Sequence, residues 1–194
     1  MDARIGPRFL QPGPGFGGSC FPKDTLALVR IAQEAGAPSR LIEAVVAVND
    51  ARKASMSARV IAACGGTVRG RTIAVLGLTF KPDTDDMRDS PAVPIVARLV
   101  EDGASVKVFD PQGMDQARPM LPSGTIYASS TEAALDGVDA VVVVTEWDVF
   151  KALDPQAMHK LMSGRVVVDL RNVFDPMAMA AQGFAYHGIG ITSR

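Results

Sequence analysis

The sequence predicts an α/β fold, a doubly wound parallel sheet preceded by a helical arm, and three observations carry that expectation. From Arg71 onward, short continuous apolar runs such as Thr72-Ile73-Ala74-Val75-Leu76 and Ala140-Val141-Val142-Val143-Val144 alternate with helical segments. Runs of that kind mark strands buried on both faces by crossover helices. Ahead of them stands a helical stretch that starts near Ser39 and runs to about Cys64, before Gly65-Gly66; at roughly 25 residues it is long for a globular helix. Ahead of that, Gln11-Pro12-Gly13-Pro14-Gly15-Phe16-Gly17-Gly18 can be neither a helix nor a central strand.

Each element follows from a local signal. A first helix begins near Phe21-Pro22-Lys23-Asp24, because proline is tolerated in the first turn, and Gly36 is its natural stop. Ser39 is a good N-cap for the second helix, whose apolar side shows Leu41, Val45 and Val48, then Met56 and Val60. Asn49, Asp50, Arg52 and Lys53 interrupt that side midway. A long helix with so wide an apolar surface commonly joins domains or pairs with a second copy of itself. The first strand ends at Gly77, a helix spans residues 90–102, and Ser105-Val106-Lys107-Val108-Phe109 is a strand ending at Asp110-Pro111. A short strand at Ile126-Tyr127, a helix at 131–135, the strand at 140–144, a helix at 155–162, a strand at Val166-Val167-Val168 and a short helix near 176–181 complete the pattern. Ligands of such sheets bind beyond the carboxyl ends of the strands, so the loops 77–89, 110–113, 145–149 and 169–175 are the places to inspect.

The totals narrow the function. The 194 residues are 47% hydrophobic, enough to bury a core, and carry 20 basic against 21 acidic residues, a net charge of -1. That balance argues against nucleic acid or an anionic membrane as partner. No apolar run approaches the roughly 20 residues that span a bilayer, and the first residues do not resemble a signal peptide, so a soluble cytoplasmic protein is expected. Two cysteines, Cys20 and Cys64, are too few for a disulfide framework. His159 and His187 have no ligand-spaced partners, and Asp83-Thr84-Asp85-Asp86 lacks the glycine and glutamate of a calcium loop, so no metal is expected.

The chemistry concentrates at Cys20. Gly13, Gly15 and Gly18 match a dinucleotide fingerprint in spacing, but no buried strand precedes them and prolines surround them. A glycine-rich loop delivering Cys20 to a helix N-terminus is the better reading. Backbone N–H groups there favour an anion, the setting in which thiols become nucleophiles. Cys64 reads as a small buried hydrophobe.

Gly15-Phe16-Gly17-Gly18-Ser19-Cys20-Phe21-Pro22-Lys23-Asp24 closely resembles the active-site segment of the UDP-glucose 6-dehydrogenases, within the UDP-glucose/GDP-mannose dehydrogenase family. The resemblance continues through Phe80-Lys81-Pro82-Asp83-Thr84-Asp85-Asp86-Met87-Arg88-Asp89-Ser90, Thr145-Glu146-Trp147 and Val168-Asp169-Leu170-Arg171-Asn172, in order along the whole chain. It implies an NAD-dependent, metal-free, two-step oxidation of UDP-glucose to the uronate. Cys20 would capture the intermediate aldehyde as a thiohemiacetal that becomes a thioester, and Asp24 would orient or activate water. Gln11, Pro12, Gly13, Pro14, Gly15, Phe16 and Gly17 would fold over the glucose, and Phe80, Lys81 and Arg171 would contact the substrate. Arg88 and Lys23 would meet NAD, and Arg4 would reach a neighbouring subunit's substrate in a homodimer built on the long helix.

The resemblance also sets the organisation. Residues 1–66 would form the catalytic loop and helical arm, and residues 67–194 a Rossmann-like domain for the UDP end of the substrate. The family's NAD-binding domain, with its oxyanion-stabilising lysine and asparagine, is expected ahead of this segment, so the chain alone is expected not to turn over. Trp147 could line a site or cover the sheet. A GDP-mannose 6-dehydrogenase is the alternative within the family, and a non-catalytic nucleotide-sugar-binding or dimerisation module the alternative outside it. A self-contained NAD site at Gly77 is disfavoured, because Leu78, Phe80 and Lys81 stand where a pyrophosphate turn needs small residues.

Overall fold

A computed structural model describes residue 6 and residues 10–191. Helix α1 (Phe21–Glu34) starts where the glycine-rich segment ends, with Cys20 at its N-cap position and Pro22 in the first turn. Gly36, at φ +69°, takes the left-handed conformation just past its end. Helix α2 (Arg40–Ala63) follows, with Ser39 at the N-cap position but without a side-chain capping bond.

Six strands form one sheet: β1 (Thr72–Leu76), β2 (Ser105–Phe109), β3 (Ile126–Tyr127), β4 (Ala140–Val143), β5 (Val166–Asp169) and β6 (Ala185–Gly188). Their spatial order is β3-β2-β1-β4-β5-β6, and every neighbouring pair is parallel. The strand order reverses between β1 and β4, the switch point beside which a doubly wound sheet offers its crevice. The connecting helices are α3 (Ala92–Glu101), α4 (Met114–Ala117), α5 (Thr131–Leu135), α6 (Asp148–Lys151), α7 (Pro155–Leu161) and α8 (Pro176–Ala181).

The expected α/β architecture is therefore present. Three elements lie outside the sequence expectations: α4 and α6, each four residues and too short to show a helical period, and β6. Strand β6 is an edge strand of alternating burial, Ala185 and His187 more exposed than Tyr186 and Gly188, with none of the branched residues that mark the inner strands.

Strand side chains alternate between two cores. Ile73, Val75, Val106, Val108, Val142 and Val168 face a layer completed by Met56 and Val60 of α2, by Cys64 at its C-cap and by Ile95, Val96 and Leu99 of α3. Ala74, Leu76, Val141, Val143 and Val167 face Leu135, Phe150, Met158 and Met179 of α5 to α8. Helix α2 divides accordingly. Its second half is a wall of the first core, whereas Leu41 and Val48 in its first half are 75% and 66% exposed. Leu26, Leu28 and Ile31 of α1 are exposed as well.

Candidate functional site

The glycine-rich segment is fixed by α2. The Phe16 amide donates to Asn49 Oδ1 at 2.8 Å, and Asn49 Nδ2 donates back to the Phe16 carbonyl at 3.2 Å. One turn along, Arg52 Nε donates to the Gly13 carbonyl at 2.6 Å. Asn49 and Lys53, four apart and on one face, are both buried. In the sequence these residues show only as a polar interruption of an apolar side. That interruption is the available signal for a polar anchor.

Lys53 ties the same region to the loop after β1. Its Nζ lies 2.7 Å from Asp89 Oδ2 and donates to the Asp89 carbonyl at 3.0 Å. The Gly18 amide donates to the Arg88 carbonyl at 2.8 Å. Two glycines make this approach possible. A Cβ at Gly17 would stand 2.5 Å from the Asp89 carbonyl oxygen, and one at Gly18, where φ is +95°, 2.8 Å from the Phe80 ring. Phe80 thus lies under the loop that leads to Cys20, and Lys81 Nζ sits 5.3 Å from its ring centroid.

Cys20 is exposed at the start of α1, its Sγ 3.6 Å from Ser19 Oγ. Asp24, one turn on, pairs with Lys23 at 2.9 Å. That bond, more than any other influence, holds the Lys23 ammonium above its ordinary pKa. Arg88 is gripped by Asp86 through Nε and Nη2 at 2.9 and 2.8 Å, which raises the arginine and lowers the aspartate. A smaller pull on both cations comes from Cys20. Phe16, Ser19, Lys23, Asn49, Arg88 and Asp89 line part of a cleft of about 440 Å³, whose walls include Ser19 and Pro22 on either side of the cysteine in sequence but not Cys20 itself. Of the other expected residues, Gln11 is exposed, Pro12 half-buried and Pro14 buried, and Gly15 packs on Asn49 and Lys53. Arg4 lies outside the described residues.

Arg171 stands across the loop, beyond β5. Its Nε donates to the Val144 carbonyl at 3.0 Å and its Nη2 to the Phe80 carbonyl at 3.3 Å. Burial lowers its pKa, opposed by Glu146, whose Oε2 is 3.0 Å from Nε. Since the Nε hydrogen points at Val144, Oε2 is an ion-pair partner without a hydrogen bond of its own. Gly13 faces the same guanidinium: a Cβ there would be 2.7 Å from Arg171 Nη1. Loop, lysine pair and arginine therefore meet at the carboxyl end of the sheet.

The switch-point crevice itself is filled from within. Asp110, buried at the end of β2, accepts from the Leu78 and Thr79 amides at 2.7 and 3.1 Å and from Trp147 Nε1 at 3.1 Å. Its other oxygen accepts from the Gln112 and Gly113 amides. The backbone donors that a dinucleotide-binding unit turns toward a pyrophosphate are here consumed by a carboxylate. Trp147 belongs to this network and to the second core. Nothing in the sequence marks Asp110 for this role, since an aspartate before proline is an ordinary turn signal.

Comparison with known proteins gives two family matches. Residues 74–176 match the UDP binding domain of the UDP-glucose/GDP-mannose dehydrogenase family, and residues 1–51 match that family's central domain. The chain is 52% identical over 190 residues to a UDP-glucose 6-dehydrogenase of Rhizobium meliloti, covering 98% of the chain and 43% of that protein. It is 42% identical to the UDP-glucose 6-dehydrogenase TuaD of Bacillus subtilis, covering 98% and 41%. A solved UDP-glucose dehydrogenase from the archaeon Pyrobaculum islandicum superposes with a TM-score of 0.81 at 38% identity, covering 99% and 42%. The chain thus spans less than half the length of these relatives.

Proposed function

Because the chain belongs to the UDP-glucose/GDP-mannose dehydrogenase family, we propose that it supplies the catalytic cysteine and the nucleotide-sugar half of a UDP-glucose 6-dehydrogenase. The observation that carries this reading is the interlock of the Cys20 loop with the loop after β1, through Gly18 to Arg88 and Lys53 to Asp89. It sets the Cys20 loop, with Lys23 and Asp24 on the helix that follows, against the loop that carries Arg88, and Arg171 bonds Phe80 of that same loop. Residues 1–66 act as catalytic loop and arm, and residues 67–194 as the nucleotide-sugar domain.

The chemistry follows from the side chains. Cys20 Sγ adds to the aldehyde carbon of the half-oxidised sugar, a C–S bond forms, and the carbonyl π pair moves to oxygen, which takes a proton. Once that adduct is oxidised to the thioester, water adds at its carbonyl carbon, the C–S bond breaks and the carboxylate leaves. Asp24, one turn beyond Cys20, orients that water and accepts its proton. NAD, when bound, supplies the acceptor for the two hydrides. Arg88 and Lys23 fit its charged part at the rim of the cleft, whereas the crevice closed by Asp110 does not fit a dinucleotide. Arg171, Phe80, Lys81 and the Gln11-to-Gly17 segment hold the substrate.

Calorimetric titration of the 194-residue chain tests the assignment. UDP-glucose and UDP bind, with UDP carrying most of the affinity, and NAD gives no heat. Binding of NAD without UDP would show that the nucleotide has been given to the wrong half of the enzyme.

A further inference from the structure

Glu146 has no part in the reaction as described, yet its Oε2 is buried 3.0 Å from Arg171 Nε and accepts no hydrogen bond. A carboxylate in that state gains only its charge interaction, because its second usual reward, a hydrogen bond, is missing. Arg171 does not depend on it for position. The carbonyls of Val144 and Phe80 already hold two of its nitrogens, and the third faces Gly13. What Glu146 supplies is a counter-charge for a guanidinium whose side chain is only 15% exposed, a group that is costly to bury alone.

Any diphosphate reaching Arg171 meets that counter-charge. Accepting Arg171 as a substrate-binding residue, we propose that Glu146 is an internal competitor for the anionic part of the substrate. It neutralises Arg171 and opposes an incoming diphosphate, so it lowers the affinity of the site while supporting the unliganded fold. The two effects have opposite signs. A purely structural glutamate would lower stability and affinity together when removed. A competitor lowers stability and raises affinity.

The test is titration of the 194-residue chain and its Glu146→Gln variant with UDP, with uridine as the uncharged control and thermal unfolding measured in parallel. The amide matches the carboxylate in size, so the exchange removes the charge and keeps the shape. E146Q is expected to bind UDP about tenfold more tightly, about 1.4 kcal/mol, to bind uridine unchanged, and to unfold at lower temperature without ligand. Glu146→Asp, which keeps the charge, stays near the parent affinity. Equal or weaker UDP binding by E146Q, with the parent chain binding UDP, overturns the competitor role alone. Failure of the folded parent chain to bind UDP overturns the reading of Arg171 and this inference with it.

Discussion

Cys20 and Cys64 place one side chain in two opposite settings. Cys20 is exposed at a helix start, whereas Cys64 is 2% exposed in the first core. Burial pushes the Cys64 thiol up, with Arg71 partly offsetting it. Reaction with iodoacetamide under native conditions should therefore modify Cys20 faster than Cys64 by on the order of a hundredfold, since buried thiols are inert until the fold opens. Peptide mass mapping over time reads this directly. Equal rates would remove the case for Cys20 as a nucleophile. Asp169 belongs to the same scale. It is fully buried, its pKa raised by that burial against the hydrogen bonds from Phe174, Arg171 and Tyr186. It holds the turn that carries Arg171 through the backbone amides of Arg171 and Phe174.

Helix α2 does two jobs along its length. Its second half packs on the sheet through Met56 and Val60, while its middle turns Asn49 onto the cysteine loop and Lys53 onto Asp89 of the loop after β1. Asn49→Ala leaves a backbone donor and acceptor of Phe16 without protein partners, a local cost of about 1–3 kcal/mol. In hydrogen exchange, the Phe16 amide of the variant should lose its protection while the amides of Val75 and Val142, in the central strands, keep theirs. Retained protection at Phe16 would mean that the clamp does not hold the loop. Leu41 and Val48 in the first half of α2 stay exposed instead, and that contrast within one helix links this scale to the next.

At the scale of the whole molecule, the exposed apolar side chains of α1 and α2 form the surface to explain. Leu26, Leu28, Ile31, Leu41 and Val48 are each at least 48% exposed, and large exposed apolar patches mark interaction sites. A homodimer through α2 is the assembly the family resemblance implies. Light scattering should give twice the chain mass for the 194-residue protein, and Leu41→Glu with Val48→Glu should return it to one. Leu41 and Val48 face solvent in the single chain, so the variant should keep a folded α/β domain, its unfolding temperature lowered only by the dimer contact it loses. A parent chain already of single mass at tens of micromolar would end the dimer proposal.

The sequence by itself determined the α/β class, the boundaries of both arm helices and the inner strands, and the segments that carry the resemblance. It could do so because continuous branched apolar runs have one stable use, a strand covered on both faces, and because Gly36, Gly77 and Gly103 stop elements locally. Only the tertiary structure decided the partners of the polar residues. Asn49 and Lys53 meet Phe16 and Asp89, 33 and 36 residues away. Asp110 closes a crevice on Leu78 and Trp147, 32 and 37 residues away, and Arg171 reaches back 91 residues to Phe80. An apolar side chain declares its destination by type, since burial is non-directional. A polar one is satisfied only by directed contacts, and the positions of those contacts are fixed only when the sheet brings distant loops to the same end.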